Sequence, residues 1–265
     1  MREAAILTRV YLRMLGAYLR AVLEYRTDAL LLVLATVLTQ VAGVVFLLVV
    51  FTQVPTLGGW TRWEVMCVYA MVVLAEGIGS LFFEGSWHLA AFVNLGVLDY
   101  LLVRPYPVVL QVMGATLGPN GLGGAVLGIG LLVAAAPRIE VDWDPISVGW
   151  ALLLLGSGVV VKVAINLASN STAFWLLSPS SSSAATIHTL GDLARYPITV
   201  YSFGVRAVLT IVPLAFVGYF PVANLLGKGV SGTIGAFTPV VAAGCALGAW
   251  AYFRRGLRRY ESSGS

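Results

Sequence analysis

Six long apolar runs, divided by short segments that carry nearly all the charge, limit what this chain can fold into. They cover residues 29–51, 65–83, 108–135, 146–177, 196–220 and 234–253. A helix needs about 20 apolar residues to cross the hydrocarbon core of a bilayer, and every run is of about that length or longer. Charged residues make up 11% of the chain, against about 25% in soluble domains, and the mean hydropathy is +0.90. The expectation is an all-α integral membrane protein with six transmembrane helices.

Little chain remains for a soluble domain, so several function classes fall away. No G-x-x-x-x-G-K-[ST] phosphate loop occurs, and nothing outside the runs is large enough to bind and hydrolyse a nucleotide. The net charge of +4 is better explained by basic residues flanking membrane spans than by nucleic-acid binding, for which there is no basic module. Cys67 and Cys245 stand alone in or beside apolar helices, with the spacing of neither a metal site nor a disulfide framework. A cleaved signal peptide is not expected, because the first run is longer than a signal core and is preceded by a long polar segment. No H-E-x-x-H, G-x-S-x-G or pair of intramembrane aspartates is present, and His88 and His188 are the only histidines. No catalytic and no metal-ligating residues are assigned.

Charge fixes the expected orientation. With a cytoplasmic N-terminus, eleven of the sixteen Lys and Arg fall on that side, among them Arg104, Arg195 and the basic tail, residues 254–265. Only Arg62, Arg138 and Lys228 fall on the other side, so both termini are expected inside. Residues 1–28 form the cleanest pattern. Arg2, Arg9, Arg13 and Arg20 share an arc of about 40° on a helix, opposite Leu7, Tyr11, Met14, Tyr18 and Val22. Such a helix suits the cytoplasmic membrane interface. The third run is interrupted at Gly118-Pro119-Asn120-Gly121, where a broken helix is expected.

Ionisable residues inside spans are costly and usually have a partner or a task. Glu76 in the second run, Lys162 in the fourth and Arg206 in the fifth stand out. Lys162, Asn166 and Asn170 recur every four residues, on one helix face. That face either lines a translocation pathway or interface, or bonds the bundle together from within. An ion pair is expected for Glu76, with Arg206 as first partner and Lys162 as second.

Between the second and third runs lies an aromatic, sparsely charged segment that includes Glu84, Trp87, His88 and Phe92. It continues as Gly96-Val97-Leu98-Asp99-Tyr100-Leu101-Leu102-Val103-Arg104-Pro105, with Pro107 and Gln111 beyond. This run resembles the permeases of the ABC-2 superfamily, above all a bacterial branch about as long as this chain. Its most specific positions are Asp99, Arg104 and Pro105, and the architecture of the remaining chain is similar throughout. The resemblance implies the membrane subunit of an ATP-driven exporter in the bacterial inner membrane. ATP and magnesium would be held by a separate ATPase subunit, with a second permease, a homologue or a second copy, beside this chain. It implies that Glu84, Trp87, His88 and Phe92 couple to the ATPase, and that 221–235 forms short re-entrant outer helices. A hydrophobic or amphiphilic substrate suits the apolar interior. The competing readings are a membrane scaffold that transports nothing and an intramembrane enzyme.

Overall fold

The computed structural model describes residues 2–176 and 182–260, with side chains described from Leu7 to Leu176 and from Ala185 to Tyr260. Helices α1 (Arg2–Glu24) and α2 (Arg26–Gln53) are separated only at Tyr25. Helix α2 stops at Val54, whose backbone is extended as the residue before a proline prefers. Loop 54–61 turns back through Gly58 and Gly59, both at positive φ. Helix α3 (Arg62–Phe83) begins at a capping box in which the Glu64 carboxylate accepts the Thr61 N–H at 2.7 Å. It is the central helix, and every residue from Val65 to Ala75 is buried.

One residue, Glu84, bends the chain from α3 into α4 (Gly85–Asn94). A side chain at Gly85 would collide with the Val112 carbonyl, so only glycine lets α4 fold back there. Gly96, at φ 68°, ends that helix and opens α5 (Val97–Leu102). Two prolines separate α5 from α6 (Val108–Met113). The buried Gln111 side chain holds this turn, donating to the Leu101 and Tyr106 carbonyls at 3.1 and 2.8 Å. The chain then breaks across 114–119 before α7 (Asn120–Ala135), as the glycine–proline interruption in the third run predicts. Helix α8 (Pro145–Ser171) is capped by Asp144, which accepts the Ser147 N–H at 2.7 Å. Hydrogen bonding from Ser147 holds the Asp144 carboxyl below its ordinary range.

Helix α9 (Ser182–Leu193) is followed by α10 (Phe203–Ile211), α11 (Tyr219–Leu225), α12 (Gly229–Gly235) and α13 (Thr238–Leu257). The fifth apolar run does not form one helix. Between 196 and 220 the longest helix is α10, with nine residues, because Pro197, Pro213 and Gly218 interrupt it. The traverse is made earlier in the chain. Near one end of the molecule His188 of α9 meets Trp87, and at the other Thr199 donates to the Gly58 carbonyl at 3.0 Å. Helices α10, α11 and α12 then gather at that second end, the end of loop 54–61. Trp60 packs against Tyr219, the Trp150 indole donates to Asn224, and Lys228 pairs with Glu64 at 3.0 Å. Val217 and Gly218 reach inward to Gly158, about halfway along α8, and to Val72 of α3. The α11–α12 hairpin is therefore tucked into the bundle from this end.

The described residues contain helices and one isolated bridge, and no β-sheet. Four helical segments, 26–53, 62–83, 120–138 and 145–174, are long and apolar enough to cross a membrane. A fifth counts if α12 and α13, bent by 48°, are taken together. One core surrounds α3; a second, at the opposite end, joins α4, α5 and α6 to α8 and α13 through Leu89, Leu98, Leu167 and Phe253. Helix α2 buries only Gln40 and Leu47 and exposes apolar side chains along most of its length.

Candidate functional site, a charged cavity

Helices α3 and α7 approach so closely that their glycines have no room for side chains. A Cβ on Gly77 would lie 2.5 Å from the Ala125 nitrogen, and one on Gly121 would lie 2.5 Å from the Gly77 carbonyl oxygen. This contact aligns the second half of α3, and with it Glu76, toward α8 and α9. Lys162 Nζ reaches Glu76 Oε1 at 2.7 Å, and Arg195, just past α9, reaches Glu76 Oε2 at 2.9 Å. Arg195 also binds Asp192 at 3.1 Å. Two cations and two carboxylates thus balance, and none of Glu76, Lys162 and Arg195 is more than 16% exposed. Removing any one member would leave a buried charge unpaired, so the set holds only while complete. The Arg195 guanidinium also lies 6.0 Å from the Tyr69 ring, whose hydroxyl bonds Gln40 of α2.

These groups border a cavity of about 460 Å³. Glu76, Lys162, Asn166 and Arg195 line one part, and Ser80, Glu84, Asn120, Trp87 and His188 another. Leu32, Ala35 and Phe83 add apolar wall. Ser80 Oγ donates to Glu84 Oε2 at 2.5 Å and stands 3.2 Å from Asn120 Oδ1. Gly118 backs this cluster; a Cβ there would lie 2.7 Å from Asn120 Oδ1. Trp87 meets the His188 ring at 5.2 Å. Among the described residues, no group of three or more His, Cys, Asp and Glu is arranged to hold a metal ion.

The residues singled out from the sequence separate into different places. Lys162 is the partner of Glu76, and Arg206 is not. The Arg206 side chain donates to the Tyr201 and Thr199 carbonyls, at the loop end. That follows from the broken fifth run, which keeps α10 away from the middle of α3. Arg195, counted among the cytoplasmic charges from sequence, is instead inside the bundle. Its sequence signal was Asp192, three residues earlier, a pair that α9 brings together. The stripe at Lys162 also divides: Lys162 and Asn166 face the cavity, whereas Asn170 is buried and donates to the Asn166 carbonyl at 2.9 Å.

Glu84 and Trp87 turn into the cavity, while the His88 side chain remains 45% exposed, 3.8 Å from Glu84. Phe92 leans on His88 and on the second core. Asp99 lies near Tyr260, whose phenol is pushed up by burial and by this carboxylate. Arg104 and Pro105 are exposed. Beside them, within the segment between the second and third runs, Leu95, Tyr100 and Val103 are at least 73% exposed. On α1, Arg9, Arg13 and Arg20 are exposed. Tyr11 packs against Phe83 and donates to the Phe82 carbonyl, and burial pushes its phenol up. The side chain of Arg2 lies outside the described residues.

A helical membrane protein built around a shared, partly charged cavity is the class these features define. The family model described as ABC-2 family transporter protein matches residues 37–264, nearly the whole chain from α2 onward. The chain belongs to this family of transporter membrane components. No curated protein and no solved structure matches it.

Proposed function

We propose that this chain is the permease subunit of an ATP-driven exporter in a bacterial inner membrane. The observation that carries the reading is the partly charged cavity inside a bundle of the ABC-2 family, bordered by helices from both halves of the chain. Both termini are cytoplasmic, and the α4 end faces the cytoplasm. Correcting the positions of Arg195 and Arg206 leaves ten Lys and Arg in segments at the α4 end, against Arg62, Arg138, Arg206 and Lys228 at the loop end. The excess still has the sign expected of a cytoplasmic face. Six crossings are retained, the fifth supplied by 182–200 in place of 196–220.

ATP and magnesium are handled by a separate ATPase, which docks beneath α4 and α5. His88, Tyr100 and Val103 supply the exposed surface there, and Glu84 and Trp87 connect that surface to the cavity. A second permease, the same or a homologue, completes the transport unit beside the lipid-exposed α2. Helix α1 lies along the inner leaflet, its arginines toward anionic headgroups. The cargo is a hydrophobic or amphiphilic molecule moved outward.

Purification from native membranes in mild detergent, followed by ATPase assay, tests this reading. A co-purifying protein with a phosphate loop, whose hydrolysis is stimulated by amphiphiles and reduced by Lys162→Ala, supports it. Recovery of the intact chain with no ATPase, and vesicles without ATP-dependent flux, would leave a scaffold role instead.

A further inference from the structure

The charges around the cavity are unevenly satisfied. Lys162 and Arg195 are matched by Glu76 and Asp192, so neither is left to attract an anion. Glu84 has no such match. Among the described residues no Lys or Arg lies within 4 Å of it, and its one ionic neighbour is His88 at 3.8 Å, charged only when protonated. Its other contact is Ser80, which has a single hydroxyl proton to give. The Glu84 side chain is 17% exposed and faces the cavity with Ser80 and Asn120, so three oxygen-bearing side chains converge there. The Trp87 indole, half-buried, borders the same space. A half-buried carboxylate with no Lys or Arg beside it, next to an aromatic ring, favours a cation, through charge and through the ring's negative face. The nearby wall is apolar, and Leu32 of α2, a helix that exposes apolar side chains along most of its length, both lines the cavity and is 51% exposed.

We infer that the cavity binds a cationic amphiphile, its ammonium head at Glu84 between Ser80 and Asn120 against Trp87, and its alkyl tail passing Leu32 toward the bilayer. This inference deepens the transport reading by naming a substrate class, and the binding measurement does not depend on that reading. The head is recognised as an amine or quaternary ammonium; an anionic or sugar head would meet Glu84 unpaired.

The test uses the full-length chain in maltoside micelles and radiolabelled decyltrimethylammonium, with unlabelled decyl sulfate and decanol as chain-matched competitors. Expected is saturable binding that neither competitor displaces. Glu84→Gln should weaken it about tenfold or more, the scale of losing the attraction between the ammonium charge and a half-buried carboxylate. Glu84→Asp should retain the cation preference. Trp87→Leu should weaken trimethylammonium binding while leaving the thermal unfolding temperature close to that of the parent, which separates binding from folding. Unchanged binding in both Glu84→Gln and Trp87→Leu would overturn the inference, as would displacement by decyl sulfate. A parallel ATPase assay on the native complex distinguishes the two readings. Hydrolysis stimulated only by neutral or anionic amphiphiles discards the cationic class and keeps the transporter. Cation binding without any associated ATPase keeps the site and discards the transporter.

Discussion

Glu76 shows how a single carboxylate can set the conformation of a helical bundle. It accepts from Lys162 on α8 and from Arg195 beyond α9, so three separate stretches of chain depend on it. Removing one member of a buried ionic set leaves the others uncompensated, at a cost of about 3–5 kcal/mol. Glu76→Gln should therefore lower stability by about that amount, measured by thermal or denaturant unfolding in detergent. Adding Lys162→Met should restore a good part of the loss, because the stranded ammonium is removed with its partner. Arg206→Gln should be additive with Glu76→Gln, since the Arg206 side chain donates to the Tyr201 and Thr199 carbonyls and lies at the loop end. Additivity for the Lys162 pair, or strong coupling for the Arg206 pair, would contradict this geometry. The need for a partner was legible from the sequence, because an acid in an apolar run must be neutralised. The partner's identity was not, since it depended on where the chain crosses the bundle.

At the scale of elements, the helices read best where one apolar run is one helix. Runs two and four became α3 and α8 almost unchanged, and Gly118-Pro119 marked the break before α7. The fifth run misled because its hydropathy is continuous while its backbone is not: Pro197, Pro213 and Gly218 divide it, and its buried side chains, Leu209, Leu214 and Phe216 among them, join the core around α3. Conversely, 178–195 reads as a loop from its serines and its two charges, although Arg195 reaches Glu76 inside the bundle. The α3–α7 contact offers a direct check on close glycine packing. Gly77→Ala would drive a methyl group into the backbone of Ala125 and Gly121, an overpacking cost of about 1–3 kcal/mol. Gly130→Ala, on the same α7 but with nothing within 4 Å of the new methyl, should be neutral or slightly stabilising through helix propensity. Unfolding midpoints of the two variants should separate clearly; similar values would mean that the helices have room to part.

Taken whole, the molecule has two ends that are held differently. The loop end is tied by polar contacts, Lys228 joining Glu64 and lying 4.6 Å from the Trp60 ring and Trp150 holding Asn224, while Phe203, Ile211 and Val230 stay at least 78% exposed. The α4 end leaves Leu95, Tyr100 and Val103 at least 73% exposed, next to the exposed Arg104. These side chains lie outside the membrane-length helices, and their apolar surface is of the kind a partner protein covers. Sequence reasoning located this segment as the coupling region but favoured Trp87 and Phe92, since large aromatics are the usual interface anchors. Here Trp87 lines the cavity and Phe92 leans on the second core, which leaves the α5 side as the accessible surface. If the ATPase docks there, Tyr100→Asp together with Val103→Asp should abolish capture of the ATPase from native membranes while the chain still inserts and unfolds at its normal temperature. Trp87→Leu should leave capture intact and instead weaken stimulation of ATP hydrolysis by amphiphiles, because it acts on the cavity. Undiminished capture by the Tyr100 and Val103 double variant would remove the α5 surface from consideration and return the docking site to the α4 face around His88.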